Sequence, residues 1–144
     1  MIPFVIEENR LEDVMLVLSQ IPEFENIPDA GSIQSRLNEK PHLILSASNE
    51  TGPIGFKIGY EREGKFYSWL GAILPMYRNK GIASALADRQ EEWAKNQGYT
   101  TIWMKTRNCF PEMMMMAVGR GFRIVGFDPR EEVGQHRIVL EKSI

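Results

Sequence analysis

The sequence predicts a mixed α/β domain: a mostly antiparallel sheet with a parallel crossover at its centre, flanked by helices. Three observations carry this. Between residues 42 and 74, three strand-like runs follow one another across short polar turns, the pattern of an antiparallel meander. Residues 81–96 then place apolar side chains at helical spacing. A strand-like run precedes that helix and another, Thr100 to Thr106, follows it, so the unit reads as a right-handed parallel crossover.

In chain order, Ile2 to Glu8 alternates Ile2, Phe4 and Ile6 against Val5 and Glu7, which predicts a first strand. Asn9 with Glu12 three residues on has the spacing of a capping box. Leu11, Val14, Met15, Leu18 and Ile21 then share one face of a helix that Pro22 ends. A second helix is expected between Asp29 and Glu39, where Ile33 and Leu37 stand four apart. His42 to Ser48, Pro53 to Tyr60 and Phe66 to Leu74 are the meander strands, turning at Asn49 to Gly52 and at Glu61 to Lys65. Gly81 to Asn96 buries Ile82, Ala85, Leu86 and Trp93, and Gly98 is placed to end it in a left-handed cap. Pro111 to Gly119 is the last helix. Phe122 to Phe127 and His136 to Glu141 close the sheet, giving about seven strands and about four helices.

Composition narrows the function classes. The 144 residues suit one domain spanning 1–144, and the 43% hydrophobic and 25% charged content is that of a globular chain. With 17 basic against 19 acidic side chains, the net charge of -2 argues against a general nucleic-acid binder. No apolar run reaches the roughly 20 residues a membrane helix needs, and Met1 to Asn9 lacks the pattern of a signal peptide. The single cysteine, Cys109, has no partner for an internal disulfide, so a cytoplasmic setting is expected. Cys109 has no histidine close in sequence, and reads as a small packed side chain rather than a nucleophile.

The segment richest in chemistry is Leu74-Pro75-Met76-Tyr77-Arg78-Asn79-Lys80-Gly81-Ile82-Ala83-Ser84, which joins a strand to a helix. The first N–H groups of a helix lack intrahelical acceptors and carry partial positive charge, so an anion is favoured there. Gly81 lets a phosphate approach the backbone, Ala83 keeps the next turn open, and Arg78 and Lys80 add two cations. The same residues also describe an ordinary basic turn before a helix. Neither the P-loop spacing nor the dinucleotide-binding glycine fingerprint is present.

Arg78-Asn79-Lys80-Gly81-Ile82-Ala83 resembles the Arg/Gln-x-x-Gly-x-Gly/Ala motif of GNAT N-acetyltransferases. Gly71-Ala72-Ile73-Leu74-Pro75 looks like that family's fourth strand, Gly121-Phe122 like the pair after its last helix, and the element order agrees throughout. The resemblance implies acetyl-CoA as co-substrate, a primary amine on a small molecule or protein as acceptor, and direct transfer in a ternary complex without metal. It implies a splayed parallel pair of fourth and fifth strands, with the pantetheine arm between them contacting the backbone of Ile73 and Leu74. The diphosphate would lie on Lys80, Gly81, Ile82, Ala83 and Ser84, beside Arg78 and Asn79. Asn108 matches a position that commonly touches the cofactor, or is a polar cap of the strand end. Exposed C-terminal strand edges in such folds often mediate pairing, so a monomer and a homodimer both fit the sequence.

The match departs from the family at Ala117, where a tyrosine commonly protonates the leaving thiolate. For proton transfer the candidates are Tyr67 and Glu61, with Ser68 nearby; each also reads as a packed aromatic or a solvated turn charge. Met113 to Met116 read as core and acceptor-mouth packing rather than a soft-metal site. His42 and His136 read as structural, and Trp69 as core or a wall of the acceptor pocket. The acidic stretch Glu23-Phe24-Glu25-Asn26 is either a solvated loop or a lure for a cationic acceptor. Two rival readings stand beside the enzyme: a non-catalytic acyl-CoA-binding sensor, and a nucleotide binder using the same loop.

Overall fold

A computed structural model describes residues 3–22 and 26–144. The expected residue Ile2 of the first strand and the acidic residues Glu23 and Glu25 lie outside the described residues. The strands are β1 (Val5–Glu8), β2 (His42–Asn49), β3 (Gly52–Arg62), β4 (Lys65–Ile73), β5 (Thr101–Arg107), β6 (Arg123–Asp128) and β7 (Arg137–Ser143). The helices are α1 (Leu11–Leu18), α2 (Ala30–Leu37), α3 (Ile82–Asn96) and α4 (Pro111–Gly119). All seven strands form one sheet in the order β1-β2-β3-β4-β5-β7-β6. Only β4 and β5 pair in parallel; the other neighbours are antiparallel.

The pleat divides the core into two layers, because successive strand residues point to opposite faces. Leu43, Leu45 and Ala47 pack with Ile82, Leu86 and Ala94 of α3 and Ala117 of α4. Ile44, Phe56, Ile58 and Tyr60 pack on the other face with Val14, Val17 and Leu18 of α1 and Ile33 and Leu37 of α2. The helix α3 ends as expected, with Gly98 at φ +98° and the Tyr99 N–H bonded to the Ala94 carbonyl. No helix among the described residues is long and apolar enough to cross a membrane.

Local differences have physical causes. The Asn9–Glu12 capping box does not form. Asn9 instead takes φ +63° and donates its N–H to the Ile44 carbonyl of β2, so the helix starts one residue later, behind Arg10. Arg10 Nε then bonds Asp13 at 2.8 Å, and the same buried carboxylate accepts from the Ser46 hydroxyl. Helix α1 stops at Leu18, before Pro22, while Ile21 still reaches the core. Helix α2 does carry a side-chain cap, the Asp29 carboxylate accepting the Ser32 N–H at 2.7 Å. Two short 3₁₀ turns, Pro75–Tyr77 and Val133–Gln135, have no counterpart in the sequence reading.

Candidate functional site

The parallel pair is short. Phe66, Tyr67 and Ser68 of β4 oppose Ile102, Trp103 and Met104 of β5, and the strands pair no further. Beyond that point β4 stays with β3 as far as Ile73, while β5 follows β7 to Arg107. A gap therefore opens in the middle of the sheet, directed toward the start of α3.

The β3–β4 ladder decides which backbone groups face the gap. The Leu74 N–H bonds the Ile54 carbonyl at 2.9 Å, which makes Ile54 and Leu74 a hydrogen-bonded pair. By the alternation of an antiparallel ladder, Ile73 and Gly71 turn their N–H and C=O groups away from β3, toward the gap. The Ile73 carbonyl is taken by Arg78 Nε at 3.1 Å, leaving its N–H. Both backbone groups of Leu74 already have partners, its carbonyl accepting the Tyr77 N–H at 2.8 Å. Of the two residues read from the sequence, Ile73 thus presents its N–H to the gap and Leu74 does not; Gly71, which that reading passed over, presents both groups. Its signal was the Gly-Ala pair before Ile73, but only the register gives the parity.

After β4 the chain turns through Pro75–Tyr77, then Arg78, Asn79 at φ +61°, Lys80 and Gly81 at φ +84°. The first intrahelical bond of α3 runs from the Ala85 N–H to the Gly81 carbonyl at 3.1 Å, so the N–H groups of Ile82, Ala83 and Ser84 have no helical acceptor. No side chain caps this end, and no acidic residue stands in its first turn. A Cβ added at Gly81 would meet nothing within 4 Å, so the space over this N-terminus is open. Lys80, Asn79 and Ser84 are exposed beside it, whereas Ile82 buries its side chain and offers only its backbone. The arrangement suits an anionic group above the helix and an extended amide-bearing chain along Gly71 and Ile73.

The proton-transfer candidates fall on opposite faces. Tyr67 is buried on the α1/α2 face, its ring 4.4 Å from that of Trp103 and 5.5 Å from that of Tyr60. Burial raises its pKa above the ordinary tyrosine value, with Arg62 and Arg36 opposing the shift. Glu61 lies on the α3 side, where it accepts a hydrogen bond from the Tyr99 hydroxyl at 2.9 Å. Burial, then that bond to Glu61, pushes the Tyr99 hydroxyl up to about 12. Ala117 is buried in the α3-side core.

At the far lip of the gap, Asn108 donates its Nδ2 to the Val133 carbonyl at 3.2 Å, tying the end of β5 to the β6–β7 connection. Cys109 is an exposed thiol rather than a packed side chain. In α4, which follows it, Ala117 alone is buried. Met114 packs against the core while Met113 and Met115 are exposed. His136 accepts the Arg130 N–H and packs edge-on against Phe127, and His42 sits against the Lys40 carbonyl, so both are engaged locally. Trp69 is half-buried at the point where the strands part.

The acetyltransferase (GNAT) family model matches residues 11–121. Among solved structures, the ribosomal-protein-S18-alanine N-acetyltransferase from Escherichia coli superposes with a TM-score of 0.84 at 15% identity, covering 99% of this chain and 94% of that one. Ard1 from Thermoplasma volcanium gives 0.84 at 16% identity, covering 98% and 97%. A GNAT family acetyltransferase from Elizabethkingia anophelis with acetyl-CoA bound gives 0.75 at 19% identity, covering 98% of each chain. At these identities the likeness is one of fold. No curated protein matches the sequence.

Proposed function

The chain belongs to the GNAT acetyltransferase family, and from that premise we propose that it transfers the acetyl group of acetyl-CoA to a primary amine by direct attack in a ternary complex. The observation that carries this reading is the parting of β4 and β5 beside an uncapped, open helix N-terminus. The N–H groups of Ile82, Ala83 and Ser84, with Lys80, Asn79, Gly81 and Arg78 around them, hold the diphosphate. The backbone groups of Gly71 and Ile73 hold the pantetheine amides in the manner of an added strand. Asn108 stands at the opposite lip, where its carbonyl oxygen complements the Nδ2 already bonded to Val133.

Bound acetyl-CoA supplies the electrophile: the amine nitrogen bonds the thioester carbon, the C–S bond breaks, and the proton lost by nitrogen passes by way of solvent to the thiolate. The Ile73 N–H, aimed into the gap, is the donor placed to stabilise negative charge on the carbonyl oxygen. Tyr67 stays a neutral phenol across the working range because burial holds its proton. It therefore orients the acceptor as a hydrogen-bond partner rather than acting as a base. Glu61 lies on the opposite face, where it accepts the Tyr99 hydroxyl. The exposed free thiol of Cys109 accords with a cytoplasmic, reducing location. The edge strand β6, with Ile124, Val125 and Phe127 exposed, supports pairing with a second copy.

Calorimetric titration with acetyl-CoA, CoA and ATP tests the reading, followed by thiol release over a panel of amines. Selective binding of the CoA compounds with amine-dependent thiol release is the expected result. A folded protein that binds none of them contradicts it. Tight binding with no turnover on any amine would favour a non-catalytic acyl-CoA sensor, which the buried Ala117 in place of a phenol makes the second reading.

A further inference from the structure

The sheet face opposite α3 gathers aromatic rings and cations around the closed end of the gap. Tyr67 and Trp103 form its floor and Trp69 stands where the strands separate. The Arg36 guanidinium lies 4.9 Å over the Trp69 ring, and its Nη1 donates to the Tyr60 hydroxyl at 3.3 Å. The Arg62 guanidinium lies 5.0 Å over Tyr67 and 5.3 Å over Trp103. Lys105 stands 5.8 Å over Trp103 and Lys40 5.1 Å over Tyr60. Both arginines act electrostatically on the Tyr67 hydroxyl, so their fields converge there.

Two further facts mark the cluster as incomplete. Among the described residues, none of these four cations is paired with a carboxylate. Asp29, the residue before α2, lines an open depression with Arg36 and Lys40, but its carboxylate caps the helix. The buried indole N–H of Trp103 has no hydrogen-bond acceptor in the structure. A buried donor without an acceptor is costly, and so is the mutual repulsion of cations gathered on one face. A ligand that brings an oxygen anion relieves both.

We propose that the acceptor carries an anionic group as well as its amine, of the amino-carboxylate class, with Arg36 and Arg62 holding the carboxylate and the rings of Tyr67, Trp69 and Trp103 walling its carbon skeleton. This rests on the acetyltransferase reading and deepens it. It also sets the enzyme against polycationic amines, which four cations around one face would repel.

The test uses matched pairs of amines, free amino acids with α- or ω-amino groups against their carboxamides, with thiol release as readout. Wild type is expected to prefer the carboxylates by about tenfold or more in kcat/KM, since a charged site rejects an analogue lacking the charge. In Arg36→Gln and Arg62→Gln the preference falls toward unity through KM, and Trp103→Phe, which keeps the ring but not the N–H, reduces it in part. Arg130→Gln, on an exposed ion pair with Asp128 at the β6 edge, keeps it in full. Calorimetric affinity for acetyl-CoA stays unchanged in all four, which also reports an intact fold. Carboxamides used as well as the acids, or no turnover of either member of any pair while acetyl-CoA binds, overturns the proposal and leaves the cofactor site standing. Failure of wild type to bind acetyl-CoA at all overturns the acetyltransferase reading itself.

Discussion

Arg78 reaches back five residues and donates Nε to the main-chain carbonyl of Ile73 at 3.1 Å. The side chain that the motif places beside the diphosphate is therefore also the clasp that fixes the end of β4, where the gap begins. The two roles separate by substitution. Arg78→Ala is expected to weaken acetyl-CoA binding by about tenfold, the scale of a charge-assisted hydrogen bond. Arg78→Lys keeps the charge and loses the directed fork, so it should fall between. Calorimetry at low and high salt reads the difference, because the charge component is screened and the clasp is not. Identical salt dependence in wild type and Arg78→Ala contradicts a direct role with the phosphates.

Gly81 holds φ +84° at the start of α3, a conformation that costs an alanine roughly 1–2 kcal/mol and an asparagine less. A Cβ there meets no protein atom within 4 Å. Gly81→Ala should therefore lower stability measurably, while Gly81→Asn should be milder. Both should impair acetyl-CoA binding by about tenfold or more, since both fill the space above the helix N–H groups. Thermal melts and titrations on the same samples distinguish strain from occlusion. Unchanged binding in Gly81→Asn would move the diphosphate elsewhere.

Tyr67 holds its proton above the ordinary tyrosine range because it is buried among Trp103 and Tyr60. Its ionisation limb therefore lies above the ordinary tyrosine range and does not shape the rate near neutrality. Tyr67→Phe should lower kcat by only about 2- to 10-fold, the scale of one neutral hydrogen bond, without altering acetyl-CoA affinity. The pH profile of the variant should keep every limb the wild type shows below about pH 9. Loss of a near-neutral limb would assign Tyr67 the base role that its burial argues against.

The parts of this site legible in the sequence are those made by contiguous residues. Arg78 to Ser84 carries its own turn, its positive-φ glycine and its free N–H groups within one short stretch. The meander and crossover were legible for the same reason, each strand being bounded by its own turn. What the sequence did not disclose depends on neighbours across the sheet. Gly71 rather than Leu74 faces the gap because of ladder register, and a register shift between Ile58 and Gly59 sets which β4 residue lies opposite which on β3. The cation cluster draws Arg36 from α2, Arg62 from β3 and Lys105 from β5, residues that look like separate solvated charges in the chain. The Asn9 capping box failed because a hydrogen bond to β2, thirty-five residues away (44 − 9), outweighed a local preference.

Ala117, where the sequence resemblance leads one to expect a tyrosine, is buried at 4% exposure in the α3-side core. Restoring the phenol should therefore not restore an acid. Ala117→Tyr overpacks the core, with an expected loss of about 1–3 kcal/mol. Calorimetric melting and kcat on a good acceptor check this. A stable Ala117→Tyr enzyme with raised kcat would show that α4 can open there and that thiolate protonation limits the wild type.

Lys57 is the basic residue most out of place, on β3 beneath α3. Burial, aided by the nearby Arg120 charge and opposed by Glu91, pushes its ammonium down to about 8 from an ordinary 10.5. Glu91 is already shared by Arg120 at 2.9 Å and Lys142 at 2.5 Å, which limits what it can offer a third cation. Between the two pKa values the unfolded chain binds more protons than the folded one, so this residue makes stability rise with pH across that window. Below about 8 both states are charged and the burial penalty is present in full. The side chain as a whole is only partly buried, so the expected gain from Lys57→Met near pH 7 is a discounted ~1–2 kcal/mol. That gain should shrink as pH climbs past about 8 and nearly vanish toward 10.5. Urea midpoints of wild type and variant across this range read it directly, and a constant difference would mean that the ammonium is solvated.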